Sequence, residues 1–145
     1  MNARLSASMT VLLLATARVA PAGESLTFAM NALPTHEYRN ASPIIATQSG
    51  PMLVDRGLIP DIPAFRRNST SRFVRNGVCA PTPQSAAFAI SEGPVTFFEF
   101  AQFFRDHLGC RNALYLDGSV SSLYAPQFER ADDHAKLGPI FAVTR

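Results

Sequence analysis

Residues 96–109, TFFEFAQFFRDHLG, decide the fold class, because helical logic is written at every level of this stretch. Thr96 with Glu99 three residues later forms a capping box: the hydroxyl takes the amide of the third helical residue, and the carboxylate returns to the cap amide. Phe97, Phe100, Ala101, Phe104 and Leu108 then recur at helical spacing and make one apolar face. Glu99, Gln102 and Asp106 form the wet stripe. Phe98 and Phe103 widen the apolar arc, so the helix is expected to be covered on more than one side. Gly109 is placed to adopt the left-handed conformation that ends it. The spacing predicts one amphipathic helix over about 97–108.

Around this helix the chain reads as short strands separated by turn residues. Leu26–Met30, Ile44–Thr47, Met52–Val54, Arg72–Arg75, Ala86–Ser91, Ala113–Leu116 and Pro139–Thr144 are apolar or alternating runs. Gln48–Pro51, Asp55–Gly57, Asn76-Gly77, Glu92–Pro94 and Asp117-Gly118 punctuate them. Residues 32–43 and 58–71 carry prolines and polar runs and are expected to be loops. The fold class is therefore α+β, a mixed sheet of about six short strands with one well-defined helix.

Composition sets the outer bounds. At 145 residues, 47% hydrophobic and 17% charged, the chain has the size and apolar content of one domain with a buried core. No apolar run reaches the roughly 18 residues of a membrane-spanning helix. A net charge of +2 with no block of like charge gives no footprint for nucleic acid. The first residues have the order of an export signal. Arg4 precedes the uncharged stretch Met9–Ala17, and Ala20-Pro21-Ala22 offers small residues for cleavage before Gly23. Residues 1–22 are thus expected to be a signal peptide, and the domain to occupy 23–145, exported to the periplasm or beyond. In that setting Cys79 and Cys110 have the option of a disulfide worth roughly 3 kcal/mol; in the cytosol they would be buried thiols. Neither they nor His36, His107 and His134 have metal-ligand spacing, so no metal site and no cofactor are expected. Surface positions are the expectation for the three histidines.

Four places combine polar groups with glycine at strand ends. Asp117-Gly118-Ser119-Val120-Ser121 ends an apolar strand with a carboxylate followed by small hydroxyl residues, and it equally fits an ordinary Asp-Gly turn. Gln48-Ser49-Gly50-Pro51 has the same two readings. Arg75, beside Asn76-Gly77, offers a guanidinium able to grip a phosphate in bidentate fashion, or to make a surface ion pair. Asn31 ends the first strand and fits a polar turn cap. Glu99 is a tempting second carboxylate, but the capping box makes it structural. Motifs for nucleophilic, zinc-peptidase and nucleotide chemistry do not occur. Residue by residue, these places do not reach a function.

In order, however, they resemble a family. Phe28-Ala29-Met30-Asn31, Ala46–Leu53, Arg75-Asn76-Gly77-Val78, Phe97–Phe104 and Ala113–Gly118 follow the pattern of the phosphodiester glycosidase domain. Its bacterial branch was long filed as a domain of unknown function near exopolysaccharide genes. Its animal relative, the uncovering enzyme, removes N-acetylglucosamine from a sugar phosphodiester. The resemblance implies a carbohydrate or sugar-phosphate ligand and hydrolysis between an anomeric carbon and a phosphate. It implies Arg75 as the group that binds and stabilises the phosphate, and Asp117 as the carboxylate beside an oxocarbenium-like sugar. Asn31, Gln48, Ser49, Gly50, Asn76, Gly77, Gly118, Ser119 and Ser121 would orient the substrate. Relative to the family the chain is shortened between about residues 32 and 44, where a glycine-rich segment and further strands usually lie. Asp-Gly-Ser-Val-Ser stands where Asp-Gly-Gly-x-Ser is common. A carbohydrate-binding domain without turnover, or an inactive truncated member, stays open as the alternative.

Overall fold

The computed structural model describes residues 11–18, 49–82, 85–118 and 120–136, with only the backbone of 11–18 and of Asp117. A five-stranded sheet dominates, in the order β1-β4-β3-β5-β2. Its strands are β1 (Val11–Arg18), β2 (Met52–Val54), β3 (Asn76–Thr82), β4 (Ser85–Ser91) and β5 (Ala113–Asp117). Every described pairing is antiparallel, which narrows the mixed sheet expected from sequence. A small hairpin follows, β6 (Tyr124–Ala125) with β7 (Arg130–Ala131). Strands of two residues leave no periodicity to read, so this hairpin was not anticipated. The expected strands at 26–30, 44–47 and 139–144 lie outside the described residues.

The helix α1 (Phe97–Gln102) carries the capping box as expected. The Glu99 amide donates to Thr96 Oγ1 at 3.1 Å, and the Thr96 amide donates to Glu99 Oε2 at 2.9 Å. Beyond Gln102 the chain widens into a π-turn over Phe103–His107, closed by the Leu108 amide on the Phe103 carbonyl. The predicted helix is thus an α segment followed by one wider turn. Gly109, at φ +64°, ends it, with the Cys110 amide reaching back six residues to the Phe104 carbonyl across the widened turn. Phe100, Ala101 and Phe104 are fully buried, and the Arg67 guanidinium lies 4.6 Å from the Phe98 ring centroid, covering a second side.

This helical face packs on one side of the sheet, against Leu53, Val54, Cys79, Ala87, Ala89 and Ala113. The small residues of β3, β4 and β5 leave room for the phenylalanines, and Phe65 from the 58–71 loop stacks on Phe97 at 5.1 Å. Met52, Val78, Ala86 and Leu114 form a second cluster on the alternate positions of the same strands. Cys79 and Cys110 are disulfide-bonded across 31 residues, with their Cα atoms 6.1 Å apart, and pin the end of the helix to the central strand.

One expectation needs revision. Arg72–Arg75 is not a strand stopped by Asn76-Gly77; only Phe73 bridges, to Val95, and the strand starts at Asn76. The reason is packing. A Cβ on Gly77 would meet the Leu114 carbonyl at 2.9 Å, Leu53 at 3.1 Å and Phe100 at 3.2 Å. Glycine is there because the β3 backbone runs against β5 and the helix, not because the chain turns. Val11–Arg18, which overlaps the apolar stretch Met9–Ala17 of the expected signal, pairs with β4 from Val11↔Ser91 to Arg18↔Ser85. An uncharged apolar run serves either role. The proposed cleavage site lies outside the described residues.

Two outcomes follow from this packing. Gly77→Ala is expected to lower stability by about 1–3 kcal/mol in urea unfolding, as overpacking at a site bounded by backbone does; an unchanged midpoint would disprove the close approach. Glu99 gives a pH dependence. Burial alone would raise its carboxyl, but the Thr96 amide, the Arg72 guanidinium and the Thr96 hydroxyl together hold it below the usual value. A lowered folded pKa adds stability that is complete above the unfolded value, about 4.3, and vanishes as pH falls through the folded one. The difference in Tm between the native protein and Glu99→Gln should therefore shrink on acidification from about pH 6 to below about pH 3. A difference constant with pH would refute it.

Candidate functional site

Arg75 stands where three elements meet, just before β3, beside the start of α1 and against β5. It is 2% exposed. Its backbone is fixed first: the amide donates to Ser91 Oγ at 3.0 Å, and its carbonyl accepts from the Ser91 amide at 2.9 Å. The side chain then lies over Phe97, with its central carbon 3.7 Å from the ring centroid. Nε donates to the Val95 carbonyl at 2.9 Å, Nη2 to the Ser71 carbonyl at 3.1 Å and Nη1 to the Tyr115 hydroxyl at 3.4 Å. A second N–H on each terminal nitrogen is left over. Among the described residues no carboxylate pairs with this guanidinium.

Hydrogen bonds to a charged donor contribute about 1.5–3 kcal/mol each, and a desolvated cation–π contact about 2 kcal/mol. Removing an ion from water costs several kcal/mol. The contacts are thus adequate to hold Arg75 in place, yet none supplies opposite charge. Burial pulls the guanidinium's pKa down and Tyr115 partly restores it; the group stays protonated.

The guanidinium faces a cleft of about 160 Å³ lined by Ser71, Phe73, Phe97, Tyr115 and Gly118. Gly118 has a geometric reason to be glycine, since a Cβ there would collide with the Tyr115 hydroxyl and stand 3.5 Å from Arg75 Nη1. Next to it opens a larger cleft of about 360 Å³, lined by Phe73, Val74, Gly118, Ser121, Arg130, Asp132 and His134. Phe73 and Gly118 belong to both, so the two adjoin.

The larger cleft has its own electrostatics. Arg130 Nε lies 3.1 and 3.2 Å from the two Asp132 oxygens, and Nη1 lies 2.8 Å from Glu92 Oε1. Asp132 Oδ2 also accepts the Leu123 amide at 2.9 Å. The Arg130 hydrogen bond, against the opposing effect of burial, keeps the Asp132 carboxyl below its usual range. Asp132 is therefore anionic at neutral pH, and its charge cancels that of Arg130.

The candidates from sequence divide three ways. Arg75, Asn76, Gly118 and Ser121 come together: Asn76 Nδ2 donates to Ser121 Oγ at 3.1 Å, and Ser121 Oγ donates to the Val74 carbonyl at 3.0 Å. Ser49 and Gly77 are engaged elsewhere. The Ser49 hydroxyl bonds the Tyr115 and Leu116 carbonyls at 2.7 and 2.8 Å, so with Gly50 it ties the turn before β2 to β5. Gly77 faces the core. The Asp117 backbone ends β5 in register with Asn76; its side chain, with Asn31, Gln48 and Ser119, lies outside the described residues.

Sequence reasoning missed Phe73, Tyr115, Arg130, Asp132 and His134. Arg130, Asp132 and His134 alternate at the two-residue spacing that puts extended side chains on one face, and that spacing was a usable signal. Phe73 carried none, since an exposed phenylalanine looks like any strand residue. His107 and His134 are exposed, as anticipated; His36 lies outside the described residues.

A profile of the phosphodiester glycosidase family matches residues 15–143. Over 79 residues the chain is 38% identical to the uncharacterized protein YigE of Escherichia coli K12, a stretch that covers 54% of this chain and 30% of that protein. No solved structure matches. Among the described residues no helix is long and apolar enough to cross a membrane. The match takes in α1 and all of β2 to β7, and with them both clefts around Arg75: the chain belongs to the phosphodiester glycosidase family.

Proposed function

We propose that this domain hydrolyses a glycosyl phosphodiester, with the phosphate held at Arg75 and the anomeric carbon directed toward Asp117. One observation carries the assignment: a buried guanidinium with N–H groups to spare and no carboxylate beside it among the described residues. A buried cation in that state favours an anion, and a phosphodiester brings one negative charge with oxygens in the geometry of the guanidinium fork. In the reaction, water adds to the anomeric carbon and the bond from that carbon to the phosphate oxygen breaks. The electron pair leaves on the phosphate monoester, and the proton of the attacking water passes to the solvent. Arg75 stabilises the charge that collects on the departing phosphate. Asp117 stabilises the oxocarbenium-like carbon. The relationship of the family to exopolysaccharide and envelope glycan metabolism supports a sugar polymer or its precursor as the source of substrate.

Hydrolysis of a chromogenic glycosyl phosphodiester tests the roles. Asp117→Asn should lower kcat by about 10²–10⁴; full activity in that variant removes Asp117 from the mechanism. Arg75→Ala, with Arg75→Lys as the variant that retains charge without the fork, should weaken phosphodiester binding about tenfold or more. Unchanged affinity in a variant that melts cooperatively would displace the phosphate from Arg75. If the native protein melts cooperatively and binds the diester without turning it over, the domain is a binding module instead.

We infer further that the domain works outside the cytoplasm. Support comes from the basic then apolar order at the N-terminus and from the Cys79–Cys110 bond, which an oxidising compartment maintains. Protein recovered from the periplasm or culture fluid should weigh two hydrogens less than after reduction. Free thiols at both positions would count against export.

A further inference from the structure

We propose that the larger cleft, between Phe73 and the Arg130–Asp132 pair, is the glycosyl subsite, and that it selects an uncharged sugar over an acidic one. The proposal rests on the phosphodiester reading above, because the phosphate at Arg75 places the sugar next door.

Three features support it. First, Phe73 is 52% exposed although it is a large apolar side chain, and it forms the wall common to both clefts. Its backbone is pinned by paired hydrogen bonds to Val95, at 3.2 and 2.8 Å, so the ring is presented from a fixed position. An exposed aromatic face beside polar groups suits the C–H face of a pyranose, and Phe73 spends no hydrogen-bonding capacity in offering it.

Second, the wall facing it is polar and rigid. Asp132 is gripped by Arg130 and by the Leu123 amide, and Arg130 is gripped in turn by Glu92. A carboxylate and a guanidinium held side by side accept from and donate to neighbouring sugar hydroxyls without rearranging. Ser121 and His134 extend the same wall.

Third, the charges of the two clefts differ. The smaller one holds the guanidinium of Arg75 with no carboxylate paired to it among the described residues. In the larger one Asp132 already neutralises Arg130, and Glu92, bonded to the same guanidinium, adds a further negative charge behind it. With Arg75 occupied by the phosphate, a uronic or other acidic sugar would set its carboxylate beside Asp132 with no unpaired guanidinium among the described residues to meet it. Phosphate and sugar are thereby sorted by charge into their own clefts.

The test is a binding titration of the full chain by NMR with three probes: inorganic phosphate, a neutral methyl hexopyranoside, and the corresponding methyl uronide. With Arg75 saturated by phosphate, the neutral glycoside is expected to shift resonances of Phe73, Asp132 and His134, and to bind at least tenfold more tightly than the uronide. Phe73→Ala should weaken the glycoside about tenfold, a larger loss than in phosphate binding, which Phe73 touches only through its contact with the Arg75 guanidinium 5.4 Å from the ring centroid. Asp132→Asn preserves the acceptor for the Leu123 amide while removing the charge, and should raise uronide binding relative to the neutral sugar. Uronide binding as tight as the neutral glycoside, or glycoside binding indifferent to Phe73→Ala and Asp132→Asn, would overturn the proposal. If phosphate fails to perturb Arg75 while the glycoside still binds through Phe73, the phosphate assignment falls and the glycosyl subsite stands. If phosphate binds at Arg75 and the glycoside shifts only residues elsewhere, the reverse holds.

Discussion

The guanidinium of Arg75 is the point on which the described structure turns. It packs on Phe97 in the first turn of the helix, bonds Val95 just before that helix, reaches Ser71 in the preceding loop, and meets Tyr115 on β5. Its own backbone is paired with Ser91 at the end of β4. One side chain thus fixes the relative positions of two strands, a loop and the start of the helix. Arginine suits this task in a way lysine does not, because its planar fork stacks on a ring while donating in several directions. The same arrangement leaves a positive charge inside the protein that no described neighbour cancels. Structure and recognition are then aspects of one constraint: the group that joins the elements also creates the demand for an anion.

Two glycines allow the elements to approach closely enough for this, and their reasons differ. At Gly77 the missing Cβ lets β3 press against the Leu114 carbonyl, Leu53 and Phe100, which brings the sheet to the helix. At Gly118 it makes room for the Tyr115 hydroxyl and for Arg75 itself. Tyr115 is consequently held edge-on to Phe97, with ring centroids 4.8 Å apart, and its hydroxyl is directed to the guanidinium. A side chain at either glycine would disturb a different surface, the core in one case and the cleft in the other.

How much of this was legible depends on how local the cause is. The capping box, the apolar face, Gly109 and the strand at Ala113–Leu116 are written within a few consecutive residues, and each appears where local chemistry requires it. The sheet–helix partition of the core follows as well, because alternation on β5 sends Ala113 and Tyr115 to one face and Leu114 and Leu116 to the other. Asn76-Gly77 misled for a physical reason: the dipeptide is a turn signal, but here a tertiary contact with β5 and the helix accounts for the glycine. Ser49 misled similarly, since its hydroxyl is engaged by β5 carbonyls contributed from some 66 residues away. The larger cleft was least legible, as its walls come from Phe73, Gly118, Ser121 and the residues from Arg130 to His134, which meet only in the folded chain.

That division also bears on the chemistry. A glycosidase acting on an ordinary acetal must protonate a poor leaving group, hence the paired carboxylates such enzymes share. A phosphodiester leaves as a stabilised phosphate anion and needs little protonation, so the heavier requirement is to hold its negative charge in a dry, oriented setting. A desolvated arginine stacked on an aromatic ring meets that requirement directly. The carboxylates then have freedom to serve other ends: Glu99 caps the helix, and Asp132 neutralises Arg130 and shapes the neighbouring cleft. In the proposed reaction the leaving group removes the need to pair carboxylates across the bond being broken, and Glu99 and Asp132 are accordingly free for the structural contacts they make.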